Sequence, residues 1–213
     1  WSLPVFRGLF EQADALGCED LVRQYIGLCF DVCHQAVEFE DVAKSIRAFD
    51  NAGIRICKVH ITNALELLNP SENTAGRQAL CRFAEPRYLP QTVARFADGS
   101  IQSRLDLQPA DIECEPADEF LKAEAWRVHF HVPIYAESLG PLNTPRRDLE
   151  AALRQIAQLS YAPHLEVETY TWPVMPGDTS GAAATAKPDE TDPLAARITR
   201  ELQSAAELLG EVA

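Results

Sequence analysis

Apolar positions in this chain fall into short, nearly unbroken runs, separated by stretches in which they recur every three or four residues. Tyr25-Ile-Gly-Leu-Cys-Phe-Asp31, Ile54-Arg-Ile-Cys-Lys-Val-His60, Trp126-Arg-Val-His-Phe-His-Val132 and His164-Leu-Glu-Val-Glu168 read as strands. Such runs suit strands covered on both faces, as parallel strands are. Helical patterns occupy residues 9–24 (Leu9, Phe10, Ala13, Leu16, Leu21, Val22), 41–52 and 145–160, and a last helix runs from Asp192-Pro193 to near Leu209. Asp41 stands where an N-cap belongs and Gly53 where a helix stops. Pro145 takes a first helical position, where its missing N–H costs nothing.

Strand alternating with helix predicts parallel pairing through right-handed crossovers. Four such units leave edges and faces uncovered, whereas eight close a barrel of ~250 residues. The expected fold is therefore α/β, a (β/α)8 TIM barrel of which residues 1–213 form the C-terminal half, with about four further units before Trp1. Residues 61–125 are too long for a βα loop of ~2–6 residues and read as an insertion. Within them Tyr88 to Phe96 and Ile101 to Leu107 flank Asp98-Gly99, which predicts a β-hairpin over the barrel mouth. Residues 177–192, small, polar and punctuated by Pro and Gly, read as a disordered loop.

Composition narrows the classes of function. The net charge of −13 argues against a surface that wraps nucleic acid. No apolar run approaches the ~18 residues of a membrane span. Cys18, Cys29, Cys33, Cys57, Cys81 and Cys114 show no zinc-ribbon spacing. Cys29, Cys33 and Cys57 sit in or just after apolar runs, as reduced core residues of a cytoplasmic protein would.

The candidate chemistry gathers at the strands. All five histidines (His34, His60, His129, His131, His164) lie in these segments or at their ends, and two segments close on a carboxylate, Asp31 and Glu168. Singly, each has a plain structural reading: Asp31 capping a loop, His34 on the surface, His60 as a packed imidazole, and His164 opening its strand after Pro163. Jointly they do not. His129 and His131 have period two, so both rings share one face of their strand, and an inward polar pair needs a partner. Glu166 and Glu168 likewise share a face, where two anions repel without a cation. One Asp, one to three His and one Glu at the same end of successive strands make a mixed nitrogen and oxygen site suited to a divalent metal, Zn, Mn or Fe.

Phe30-Asp-Val-Cys-His34, a strand closing on His60 and a last strand closing on Glu168 together resemble the xylose-isomerase-like TIM barrel superfamily. It comprises sugar isomerases, sugar epimerases and endonuclease-four-type nucleases. The resemblance implies metal ligation by Asp31, His60 and Glu168, and it makes His34 a substrate contact or a second-metal ligand. The strand of His129 and His131 is similar to a nuclease strand bearing an Asp-x-His pair; here His129 replaces the Asp, which weighs against a three-metal nuclease. Within the superfamily the chain resembles the EboE-type metabolite traffic proteins over most of residues 20–176. That likeness rests on Asp31-Val-Cys-His-Gln-Ala-Val-Glu-Phe-Glu40, Ala52-Gly-Ile-Arg-Ile-Cys-Lys58, Arg87-Tyr-Leu-Pro-Gln91, Trp126-Arg-Val-His-Phe-His-Val-Pro133 and His164-Leu-Glu-Val-Glu-Thr-Tyr-Thr-Trp172. Pro90 stands where that family usually has a His, and a fourth ligand, a Glu, is expected before Trp1. Glu72-Asn-Thr-Ala-Gly76 imitates a nuclease metal string but lies in the insertion after a helix-start signal, Asn69-Pro70-Ser71, and is read as coincidence.

The function expected first is a divalent-metal-dependent isomerase or epimerase acting on a small molecule, sugar-like or a secondary-metabolite precursor. In it Asp31, His60, Glu168 and His131 are the metal set, Glu168 doubles as general base, and His34 and His129 contact substrate. The other readings are a metal-dependent phosphodiesterase and a non-catalytic metabolite- or partner-binding barrel. No nucleic acid and no membrane are expected as partners. Completion of the barrel calls for a preceding N-terminal half or a second copy.

Overall fold

The fold is given by a computed structural model, which describes residues 2–84, 91–106, 118–176 and 194–212. Helices α1 (Ser2–Ala15) and α2 (Glu19–Tyr25) are parted by Gly17 at φ +69°. Strand β1 (Leu28–Asp31) leads without a loop into the short helix α3 (Val32–Val37), because the Asp31 carboxylate accepts the His34 N–H as an N-cap. Helix α4 (Val42–Asn51) starts at the Asp41 cap on Lys44 N and ends before Gly53, whose φ of +66° favours glycine. Strand β2 (Ile56–Ile61) follows, then β3 (Asn63–Leu68), α5 (Thr74–Cys81), β4 (Thr92–Arg95) and β5 (Ile101–Arg104). After a 3-10 turn at Glu119–Lys122 come β6 (Ala125–Val132), β7 (Ser138–Leu139), β8 (Leu142–Asn143), α6 (Arg146–Ile156), β9 (His164–Val167) and α7 (Leu194–Val212).

The strands make two sheets, one of three in the order β1-β2-β9 and one of six in the order β5-β4-β6-β3-β8-β7. This overturns the half-barrel expectation. Three of the four apolar runs do pair in parallel. The fourth, β6, runs antiparallel between β3 and β4 and belongs to the other sheet. Its residues explain the difference. Trp126, Val128, Phe130 and Val132 alternate with Arg127, His129 and His131, giving one wholly apolar face and one polar face, as an antiparallel strand between unlike surroundings requires. The parallel sheet departs from expectation too. Phe30, Val59 and Ile61 pack under α4, α6 and α7, while Cys29, Cys57 and much of β9 are exposed on the opposite side. Of the three cysteines expected in the core, only Cys33 is buried.

Segment 61–125 is no peripheral insertion. It supplies β3, β4 and β5, half of the larger sheet. The strand read as ending at His60 stays extended through Thr62 and passes from the parallel sheet into the antiparallel one. Thr92–Arg95 pairs with Ile101–Arg104 across Asp98-Gly99, with Gly99 at φ +83°. The remainder of the proposed hairpin and the 177–192 loop lie outside the described residues. Glu72 to Gly76 forms the start of α5, with Asn73 as its cap.

Each sheet has its own apolar core. One gathers Leu65, Leu67, Leu80, Phe83, Trp126 and Phe130; the other gathers Phe30, Ile46, Ile56, Val59, Leu149 and Leu153. Between them lies α3, packed on β2, β3 and β6. The polar face of β6 is tied down there. Arg127, buried, donates to Glu66 Oε1 at 2.9 Å, to Ala36 O at 2.6 Å and to Asp148 Oδ2 at 2.7 Å.

Candidate metal centre

The parallel register sets Asp31 beside His60 and His60 beside Glu166, so the C-terminal edge of β1-β2-β9 presents a polar row. Glu168 follows directly on β9. The polar face of β6 brings His129 and His131 against this edge. Of the four residues expected to hold metal, Asp31, His131 and Glu168 form one group of ligand atoms, while His60 touches both carboxylates without joining it. Asp31 Oδ2 lies 3.2 Å from His60 Nδ1 and 4.0 Å from His131 Nε2, and Glu168 Oε2 lies 2.7 Å from His60 Nδ1. Asp31, His131 and Glu168 each offer one ligand atom, all within 4.8 Å of one another. The two residues expected to touch substrate stand alongside: the ring of exposed His34 is 4.1 Å from that of His129, centroid to centroid. His164 opens β9 on its exposed side, away from this group.

His60 has a particular place in the cluster. Its Nδ1 faces the carboxylates of Asp31 and Glu168, and its Nε2 lies 3.5 Å from Cys29 Sγ. The imidazole thus bridges two anions that would otherwise repel. Glu166, the other carboxylate of the β9 pair, is answered by the Lys58 ammonium. Of the anion pair read from the sequence, Glu166 faces the Lys58 ammonium and Glu168 faces the His60 imidazole, so neither is left facing the other.

Asp31 is fixed by a short relay. Cys33 N donates to Thr62 Oγ1 at 2.8 Å, and the Thr62 hydroxyl donates to Asp31 Oδ1 at 2.8 Å. Burial opposes the charge on Asp31, yet the Thr62 hydroxyl, neighbouring His131 and His34, and the His34 N–H hold its carboxyl below its ordinary value. Thr62, at the crossing between the sheets, is a site residue that sequence reasoning missed; its place between His60 and Asn63 resembled a loop start.

His131 is held in one tautomer. Its Nδ1 donates to the Glu168 carbonyl at 2.5 Å, which leaves the lone pair on Nε2, the atom that faces Asp31 and His129. The Tyr170 ring lies against the imidazole, 4.6 Å between centroids and tilted by 52°, and the Thr171 hydroxyl donates to the His131 carbonyl. Burial lowers His131 against the pull of Asp31 and Glu168. Burial, with His34 and His131 nearby, draws His129 from 6.5 down to about 4. Both imidazoles are neutral at neutral pH, the form that binds a metal.

Cys33 is the second residue that sequence reasoning missed as chemistry. It sits on α3 directly behind Asp31, fully buried, and with His129 and His131 it forms another group of ligand atoms within 4.8 Å. Burial, with Asp31 and Glu168 close by, keeps its thiol far above the ordinary range. The buried Cys/His/Asp cluster is thus able to hold a metal ion, and its donor types fit one: neutral nitrogen, carboxylate oxygen and sulfur.

The loop after β9 is anchored from α7. Buried Glu201 accepts from Thr169 Oγ1 at 2.6 Å, Trp172 Nε1 at 2.9 Å and Ile134 N at 3.2 Å. Among the described residues no helix is long and apolar enough to cross a membrane. No family model, curated protein or solved structure matches the chain.

Proposed function

We propose that the chain carries a divalent-metal site for isomerase- or epimerase-type chemistry on a small, sugar-like metabolite. The observation that carries this reading is the convergence of Asp31, His131 and Glu168, from three separate strand ends or faces, within 4.8 Å. A mixed carboxylate and imidazole set suits Mn, Fe or Zn. When bound there, the ion supplies Lewis acidity for a carbonyl and hydroxyl pair. His60 positions the two carboxylates through its Nδ1. Glu168, on the solvent side, is the general base for the proton beside the substrate carbonyl, and His34 and His129 orient a substrate oxygen at the rim. The resemblance to metabolite traffic proteins supports a small metabolite as substrate, and the formal charge of −13 makes a nucleic acid a poor one.

The test pairs metal analysis with exchange. Stoichiometric divalent metal is expected in the purified protein, and manganese or iron binding is lost in Asp31→Asn and His131→Ala. Deuterium from solvent is expected to enter ketose or aldose probes beside the carbonyl, with Glu168→Gln retaining metal but losing exchange. Full manganese or iron content in folded Asp31→Asn would sink the site, and exchange at wild-type rate in Glu168→Gln would sink the base.

A further inference from the structure

The two ligand groups overlap at one atom. His131 has a single lone pair to offer, on Nε2, because its Nδ1–H is spent on the Glu168 carbonyl. His131 belongs to both groups, and its Nε2 lies 4.0 Å from Asp31 Oδ2 and 3.3 Å from His129 Nε2, so the one lone pair faces both. One imidazole nitrogen binds one ion. We infer that the cradle is a two-position site for a single ion: a hard ion is held by Asp31, His131 and Glu168, and a thiophilic ion by Cys33, His129 and His131, each excluding the other. The inference rests on the metal reading above and assigns which metal class each position takes.

Geometry favours a real second position. His129 Nε2 and His131 Nε2 stand 3.3 Å apart. Two nitrogens bound to one tetrahedral zinc, at about 2.0–2.1 Å each, stand about 3.3 Å apart. Cys33 completes the group from a separate element, α3, and its backbone is pinned by the Thr62 hydroxyl rather than by its thiol. The donors also differ in kind. Thiolate with two imidazoles selects zinc-like ions, while two carboxylates with one imidazole suit manganese. The sulfur-containing set is the deeper of the two: Cys33 and His131 are buried, whereas Asp31 and Glu168 are partly open. A thiophilic ion in the inner position occupies His131 and so disables the outer, substrate-facing position.

Cobalt(II), as a spectroscopic stand-in for zinc, and manganese(II), followed by electron paramagnetic resonance, separate the two positions in the whole chain. Cobalt is expected to give a thiolate-to-cobalt charge-transfer band, absent in Cys33→Ala and in His129→Asn, with affinity reduced at least about 10-fold in each. Manganese is expected to bind at one equivalent and to be lost in Asp31→Asn, which retains the cobalt band. One equivalent of zinc is expected to release one of manganese, with no species holding both. Cobalt binding without the thiolate band, or zinc and manganese held together on one chain, would overturn the inference while leaving the outer site intact. A cobalt band without any manganese binding would remove the outer site, and with it both the exclusion and the enzymatic reading. Circular dichroism of each variant separates lost binding from lost folding, and two variants on different elements keep the answer independent of either.

Discussion

In the parallel sheet, Asp31 and His60 stand in register at strand ends and Glu168 follows the end of a third strand, so each strand gives one group. The antiparallel sheet gives its groups differently: Arg127, His129 and His131 all come from the polar face of β6, whose other face is core. Strand ends can be altered with little effect on packing, because the chain is already leaving the sheet. A strand face cannot, since each polar side chain there sits between apolar neighbours and must be satisfied in place. The two halves of the cluster should therefore respond to mutation in different ways, one through binding and the other through folding.

Arg127 gives the largest expected contrast. Arg127→Leu leaves Glu66 buried without its cation and is expected to lower stability by about 3–5 kcal/mol in urea unfolding. Lys58→Ala, which breaks the exposed Lys58–Glu166 pair on the parallel sheet, is expected to leave the urea midpoint in place. Equal losses from the two would erase the distinction.

Acid titration should find the same asymmetry. His129 falls from 6.5 to about 4 on folding, so between these values the unfolded chain binds more protons than the native one. Its contribution is complete above about 6.5 and is lost as pH drops toward about 4, on the order of 3 kcal/mol in all. Asp31, also held low, adds a loss in the same direction at more acid pH. Stability measured from pH 7 downward is expected to decline over this window, and His129→Phe should flatten the decline.

At the strand ends the effect is on the ion. His60→Ala removes a group that steadies two carboxylates and is expected to weaken metal binding 10–100-fold while the fold persists, as chelator competition would measure. An unaltered affinity would show that Asp31 and Glu168 hold their places unaided. The smallest expected change lies away from the cluster: Asp41→Ala removes the α4 cap and should lower stability by about 1 kcal/mol without touching metal affinity.

Much of the local structure was legible in the sequence. The four apolar runs are strands, α4 begins at Asp41 and stops at Gly53, and Asp98-Gly99 turns a strand pair. The arrangement of sheets was not. An apolar run marks burial, and burial does not distinguish a parallel neighbour from an antiparallel one. The alternation of Arg127, His129 and His131 with apolar residues held the needed signal, since a strand covered by apolar layers on both faces has no place for it. Strand β3 escaped because Thr62 and Asn63 look like a strand end, although both are buried. That Asp31, His131 and Glu168 lie together, with His60 against both carboxylates, was readable because carboxylates and imidazoles stand out at the close of apolar runs. Cys33 was not, because a buried thiol among Val32, Ala36 and Val37 has the look of ordinary core filling.

The passage of one extended segment, Ile56 to Leu68, through both sheets has a consequence for how such a chain can vary. The pairing register breaks opposite Cys57 and again between Asn63 and Leu65, but from Lys58 to Ile61 and from Leu65 to Leu68 it is regular, so a single inserted or deleted residue near Thr62 would turn one of these stretches onto the opposite face. Either His60 would leave its carboxylates or Leu65 and Leu67 would leave their core. A substitution along this segment alters one side chain, whereas a change of length near Thr62 moves a whole set of them at once.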